Sequence, residues 1–195
     1  MHGRCGFLWQ HGRMPYGVVL LPDAPTHDRL TQLAAAIAGP APVNTLGPHA
    51  PAHVSVAHFD GDEAQAAEIA ARVARQPATV TSVKTIGLLY AALAPGDYYV
   101  PQGGVYFGVE VVRRPGLDAL HAEVLGWIAE VGARPLGAVG DDFRPHITLG
   151  VSSGRPELPE LGEVPVGELG VTLAYGELGP YGTFPGLARH EPGTG

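Results

Sequence analysis

The chain has 195 residues, 45% of them apolar, and a formal net charge of −7. The acidic balance and the single lysine, Lys84, argue against a protein that coats nucleic acid by neutralising phosphates, and leave any phosphate contact to arginine, histidine, hydroxyls or backbone amides. One cysteine, Cys5, excludes an intrachain disulfide and a zinc site built from several thiolates, and no apolar run reaches membrane-spanning length.

In chain order, residues 1–13 read as an N-terminal extension, and residues 16–21 as a short apolar strand closed by Pro22 and Asp23. Thr26 or Asp28 is expected to cap a helix whose apolar positions Leu30, Leu33, Ala34 and Ile37 follow helical spacing, with Gly39 as its stop. A loop rich in proline (Pro40, Pro42, Pro48, Pro51) leads to the strand-like run Pro51-Ala52-His53-Val54-Ser55-Val56-Ala57-His58-Phe59. Asp60 and Asp62 offer caps for an alanine-rich helix that Pro77 ends. Residues 79–90, rich in β-branched side chains, read as a strand, and residues 91–104, with Pro95-Gly96 and Tyr98-Tyr99, as a loop.

The order then recurs. A strand over 105–112, a turn at 113–116 and a helix over 117–131 with an apolar stripe (Leu120, Val124, Trp127, Ile128, Val131) are followed by Gly132, a loop, and the run Phe143-Arg144-Pro145-His146-Ile147-Thr148-Leu149-Gly150-Val151. A strand over 164–175 and a Gly- and Pro-rich tail over 186–195 close the chain. His53 and His146 lie 93 residues apart, and the same offset links Ser55 to Thr148, Gly39 to Gly132 and Val18-Val19 to Val111-Val112. The pattern predicts a diverged internal duplication, with lobe one over about 14–90 and lobe two over about 105–185 of a single domain spanning 14–185. The expected fold class is α+β: two pseudo-two-fold strand–helix–strand lobes whose antiparallel sheets line a central cleft.

Side chains alternate across a strand, so His53 shares a face with Ser55 and His146 with Thr148, while Val54, Ile147 and Leu149 face the core. An imidazole beside a hydroxyl, repeated once per lobe, is an unusual front for a purely structural strand. His58 has the opposite parity to His53 and is expected to face away unless a bulge intervenes. His2, His11, His27, His49, His121 and His190 are expected to be solvated.

The two His-x-[Ser/Thr]-x motifs resemble those of the two-histidine (2H) phosphoesterases, and Arg144-Pro145-His146-Ile147-Thr148-Leu149 is similar to the second motif of the branch holding LigT-like 2′-5′ RNA ligases and RNA 2′,3′-cyclic phosphodiesterases. The first motif departs mildly, with Ser55 for the usual threonine and Val56 for the usual leucine. The resemblance implies a metal-independent opening of RNA 2′,3′-cyclic phosphates to a 2′-phosphate, with ATP-independent 2′-5′ ligation when an RNA 5′-hydroxyl replaces water. It implies His53 and His146 as general acid and base in an assignment the pseudo-symmetry leaves open, with Ser55, Thr148 and Arg144 on the phosphate. Two imidazoles with pKa near 6.5 suit this division of labour at neutral pH. Tyr99, Tyr106 and Phe107, together with Tyr98, are candidates for stacking on a base. The expected partner is RNA ending in a cyclic phosphate, or a cyclic nucleotide, met by a cytoplasmic monomer without cofactor or membrane contact. The competing readings are a nucleotide-binding module of the same fold without turnover, a metallohydrolase (disfavoured by the lack of an H-E-x-x-H helix), and a structural protein.

Overall fold

Asp23 starts the first helix: its Oδ1 accepts a hydrogen bond from the Thr26 amide (2.9 Å), and Pro25 falls in the first turn, where its missing N–H costs nothing. The cap is therefore Asp23 and not Thr26 or Asp28, because Thr26 occupies the third helical position with its side chain buried. The protein, a computed structural model, is described over residues 14–38, 42–77, 79–154, 156 and 164–187. The expected extension over 1–13, the Gly39 stop and the tail beyond 187 lie outside the described residues, while residues 186 and 187 belong to a 3₁₀ turn, Pro185–Leu187.

The elements are β1 (Met14–Pro22), α1 (Ala24–Ala38), β2 (Pro42–Thr45), β3 (Val54–Gly61), α2 (Glu63–Arg75), β4 (Ser82–Leu93), β5 (Gly104–Val111), α3 (Pro115–Glu130), β6 (Arg134–Leu136), β7 (His146–Ser152) and β8 (Gly167–Glu177). The short strands β2 and β6 fall where the sequence predicts loops. Both are brief edge strands containing proline, a combination that leaves little periodic signal. Asp62 and Gln65 form a reciprocal capping box at α2, and Pro115 opens α3 at a position whose N–H has no helical partner.

All pairings are antiparallel, in one eight-stranded sheet of order β2-β7-β5-β4-β8-β1-β3-β6. The order exposes the duplication. β1 pairs with β3 and β8 as β5 pairs with β7 and β4, and β2 joins β7 as β6 joins β3. The repeats thus exchange strands: β4, from the first half of the sequence, is bonded to β5, and β8, from the second half, to β1. Helices are exchanged too, with α1 packed on β7 and α3 on β3. The sheet closes on itself through one further pair, Val54 with Ile147.

The two histidine strands carry matching bulges. Val18 pairs with Ala57 but Val19 with Ser55, leaving Val56 as an extra residue; Phe107 pairs with Gly150 but Gly108 with Thr148, leaving Leu149 extra. Structurally Val18 thus corresponds to Phe107, so the offset linking Val18-Val19 to Val111-Val112 is a coincidence of sequence. A difference in connection length accounts for two of the four residues by which the offsets differ: Asp23 alone joins β1 to α1, whereas residues 112–114 join β5 to α3.

One core runs beneath the sheet, built from Leu30, Leu33 and Ile37 of α1, Leu117, Leu120, Val124 and Ile128 of α3, and the inward side chains of the strands. Each such fully buried aliphatic side chain contributes about 1.5–3 kcal/mol. His121 of α3 belongs to this layer and is 3% exposed, contrary to the solvated position expected of it. Its Nε2 accepts from the Gly140 amide (3.0 Å), which fixes Nδ1 as the donor to the carbonyl of the bulge residue Val56 (2.6 Å), and its ring stacks on Phe143 at 3.9 Å. The carbonyl of the other bulge residue, Leu149, accepts from the Leu46 amide (3.0 Å). His27, likewise expected in solvent, is half-buried and accepts the Ala52 amide at Nδ1 (3.1 Å).

His121→Ala strips partners from the Val56 carbonyl and the Gly140 amide and opens a cavity. It is expected to lower unfolding free energy by about 2–4 kcal/mol in urea denaturation. A loss under about 0.5 kcal/mol would show that the bulge does not depend on this histidine.

Candidate active site

His53 immediately precedes β3 and His146 opens β7, so each stands beside one member of the Val54–Ile147 pair. Val54 and Ile147 are fully buried, and alternation turns their neighbours to the opposite face. The antiparallel sense sets His53 beside Thr148 and Ser55 beside His146. All four side chains line one cavity of about 280 Å³.

The two imidazoles are held alike. His53 donates from Nδ1 to the carbonyl of Pro51 (2.8 Å), and His146 from Nδ1 to the carbonyl of Arg144 (2.7 Å). Each ring is tied by the residue two positions before it, which fixes the neutral tautomer with Nε2 free of its proton. Burial lowers the pKa of His53 to about 4, with the positive form of His146 adding to the effect, while the backbone of Pro51 and of Gly182 favours the protonated ring. Burial also lowers the pKa of His146, opposed by its bond to Arg144 and reinforced by the charge of the Arg144 guanidinium. In the absence of an anion both rings are neutral at pH 7.

Ser55 and Thr148 are half-buried in the cavity wall and can donate to an anion between the histidines. Arg144 is the one cation of the lining among the described residues. It stands exposed at the rim, with only a long 3.8 Å contact to Glu110 to occupy it. Tyr106 lines the cavity and meets the His146 ring edge-on, with ring centroids 5.2 Å apart. Phe107 is removed from the candidates: it points into the core, fully buried, because it follows Tyr106 on the strand and takes the opposite face.

Tyr99 lines the cavity as well, and its hydroxyl shares a 2.7 Å hydrogen bond with Nδ1 of His58. His58 thus faces the cavity and not away from it, because the bulge at Val56 inverts the strand parity after Ser55. Burial drives its pKa to about 3, so it serves as a neutral ring beside the pair. The signal for this lies in the sequence, where the apolar positions 54, 56, 57 and 59 skip a beat at Val56-Ala57.

The segment after β8, which the sequence presents only as a Gly- and Pro-rich end, also reaches the site. Phe184 is fully buried and packs edge-on against His53 (4.8 Å) and obliquely against His58 (5.6 Å). Gly17 makes room for it, since a Cβ there would lie 2.5 Å from the Phe184 Cζ. Among the described residues no three His, Cys, Asp or Glu side chains converge as ligands for a metal ion, and no helix is long and apolar enough to cross a membrane.

The fold has a solved counterpart. A crystal structure described as a phosphoesterase is 15% identical, covering 83% of this chain and 86% of its own, with a TM-score of 0.50. Escherichia coli LigT complexed with 3′-AMP is 14% identical over 84% of this chain and 87% of its own, with a TM-score of 0.49. No curated protein sequence matches the chain. A family model for the 2′-5′ RNA ligase superfamily matches residues 21–164, both histidine strands included and the Phe184 segment left outside. On that match, which spans most of its length, the chain belongs to the 2′-5′ RNA ligase superfamily, whose members are two-histidine phosphoesterases.

Proposed function

We propose that the protein opens 2′,3′-cyclic phosphate ends of RNA to 2′-phosphates without a metal ion, and that the same site forms 2′-5′ linkages when an RNA 5′-hydroxyl takes the place of water. The observation that carries the reading is the matched tethering of the two imidazoles by Nδ1, which leaves Nε2 of each for the cavity they share. A phosphate between them meets one nitrogen able to take a proton and another able to give one.

In this mechanism the cyclic phosphate lies between His53 and His146 with its non-bridging oxygens toward Ser55 and Thr148. His146 takes the proton of the attacking water as its oxygen bonds to phosphorus on the side opposite O3′. The P–O3′ bond breaks, and His53 delivers a proton to the leaving O3′, so that the phosphate stays on O2′. Each ring keeps a backbone carbonyl on Nδ1, that of Pro51 for His53 and of Arg144 for His146, so that each can carry the charge it gains or gives up at Nε2. The two hydroxyls stabilise charge that grows on the phosphoryl oxygens, and Arg144 at the rim attracts the anion. With an RNA 5′-hydroxyl as nucleophile, every proton and bond follows the same course.

His53→Ala and His146→Ala are each expected to lower kcat/KM on a cyclic-phosphate oligonucleotide at least about 100-fold, with the double variant losing far less than the product of the two. Ser55→Ala and Thr148→Ala are expected to cost about 1–3 kcal/mol each in the transition state. Assays in EDTA should match those without it. Full activity in either single histidine variant, or activity that EDTA abolishes and a divalent ion restores, would overturn the reading.

The pH profile follows from burial. Because desolvation penalises the charged ring, both histidines of the free protein titrate below the ordinary 6.5, His53 near 4. One ring must be protonated and the other neutral, so kcat/KM is expected to be bell-shaped with its maximum below pH 6.5. A bound phosphate anion raises both pKa values, which displaces the kcat maximum to higher pH than that of kcat/KM. Coincident maxima above pH 7 would contradict this account of the site.

A further inference from the structure

Beside the cavity that holds His53 and His146 lies a second one of about 260 Å³, walled by Tyr98, Tyr99, Tyr181, Pro180 and Pro185, with Glu177 at its edge. Tyr99 and Tyr181 line both cavities, so these two residues form the partition that the cavities share. We propose that this second cavity is a nucleobase subsite, holding the base of the nucleotide adjacent to the reacting one; the proposal rests on the cyclic-phosphate reading of the neighbouring cavity.

The composition of the walls selects a base over a phosphate. Among the described residues Glu177 is the only charged group in the lining, and a carboxylate repels phosphate while accepting from the N–H groups of a base edge. Aromatic faces with little charge are what base stacking requires, and every base has a π face. Tyr98 supplies an open platform: it is 46% exposed, and its ring stands edge-on to Tyr99 with centroids 5.0 Å apart.

The two shared tyrosines are held in place before any ligand arrives. The Tyr99 and Val100 amides both donate to Asp97 Oδ1 (2.9 Å each), and the Tyr99 hydroxyl is anchored on His58. His58, which takes no part in the proton transfers, thus acts as the positioning residue of the wall between the cavities. Tyr181 has φ 60°, the only left-handed residue other than glycine among those described. Such a conformation costs of order 1 kcal/mol or more and persists where surrounding structure enforces it, commonly at ligand clamps. Here the turn Pro180–Gly182 enforces it, with the Thr183 amide (3.2 Å) and hydroxyl (2.7 Å) both donating to the Pro180 carbonyl.

The test compares a mononucleoside 2′,3′-cyclic phosphate with a dinucleotide ending in the same cyclic phosphate. Wild-type kcat/KM is expected to favour the dinucleotide at least about 10-fold, Tyr98→Ala to erase about 10-fold of that ratio, and Tyr98→Phe to retain it, as the loss of one stacked base requires. A second arm gives the cyclic mononucleotide a free nucleoside as a 5′-hydroxyl donor, and a Tyr98-dependent yield of the 2′-5′ joined product assigns the subsite to an incoming strand. Equal rates for both substrates together with a joined yield indifferent to Tyr98 overturn the subsite. If the wild-type protein turns over neither substrate, the cyclic-phosphate reading fails separately. The subsite is then judged by titration with a 2′-phosphorylated dinucleotide and a 2′-mononucleotide: tighter, Tyr98-dependent binding of the dinucleotide upholds it, and equal affinity overturns it.

Discussion

A single strand pair, Val54 with Ile147, is the contact on which the rest of this molecule turns. Both side chains are fully buried, so the two histidine strands can meet only with their apolar sides against the core. His53, Ser55, His146 and Thr148 are thereby delivered to the other side. The stability of the core and the assembly of the cavity are one fact seen from two faces of the same strands. A one-residue slip of either strand would turn an imidazole into the core and a valine or isoleucine into the cavity.

The paired bulges refine that arrangement. An extra residue in each strand bends it next to the cavity and frees one carbonyl, which His121 satisfies on one side and the Leu46 amide on the other. The two solutions differ although the repeats are related, since the demand is for a donor and not for a particular residue. Each bulge has a second effect. That in β7 turns Val151 to the cavity, and that in β3 brings His58 round to it, where the ring holds Tyr99.

How much of this the sequence discloses depends on the range of the determining contacts. His53 and His146 stand out because their signal is local: an imidazole and a hydroxyl two apart on an apolar-backed strand, twice at one offset. The α+β class and the duplication follow from patterns of similar reach. The exchange of β4 and β8 between repeats leaves no local trace, because an amphipathic strand reads the same whichever neighbour it joins. His121 looks like a polar interruption on a helix until its two backbone partners, 65 and 19 residues away, are in place. Phe184 and Tyr181 sit among glycines and prolines whose composition suggests a loop, and only tertiary contact shows that this loop is packed against His53.

The interchange of strands also bears on how the chain reaches its native state. β1 has one partner in residues 54–61 and another in residues 171–177, so its second edge stays open until synthesis has passed β8. Contacts of such sequence separation demand loop closure before they return any stabilisation, which slows folding and prolongs the exposure of apolar strand edges. Neither half can complete its own sheet, and a fragment ending before β8 carries an unpaired β1 edge of the kind that seeds aggregation. Duplication gave this protein two copies of a motif, and the interlocking of those copies makes them a single folding unit.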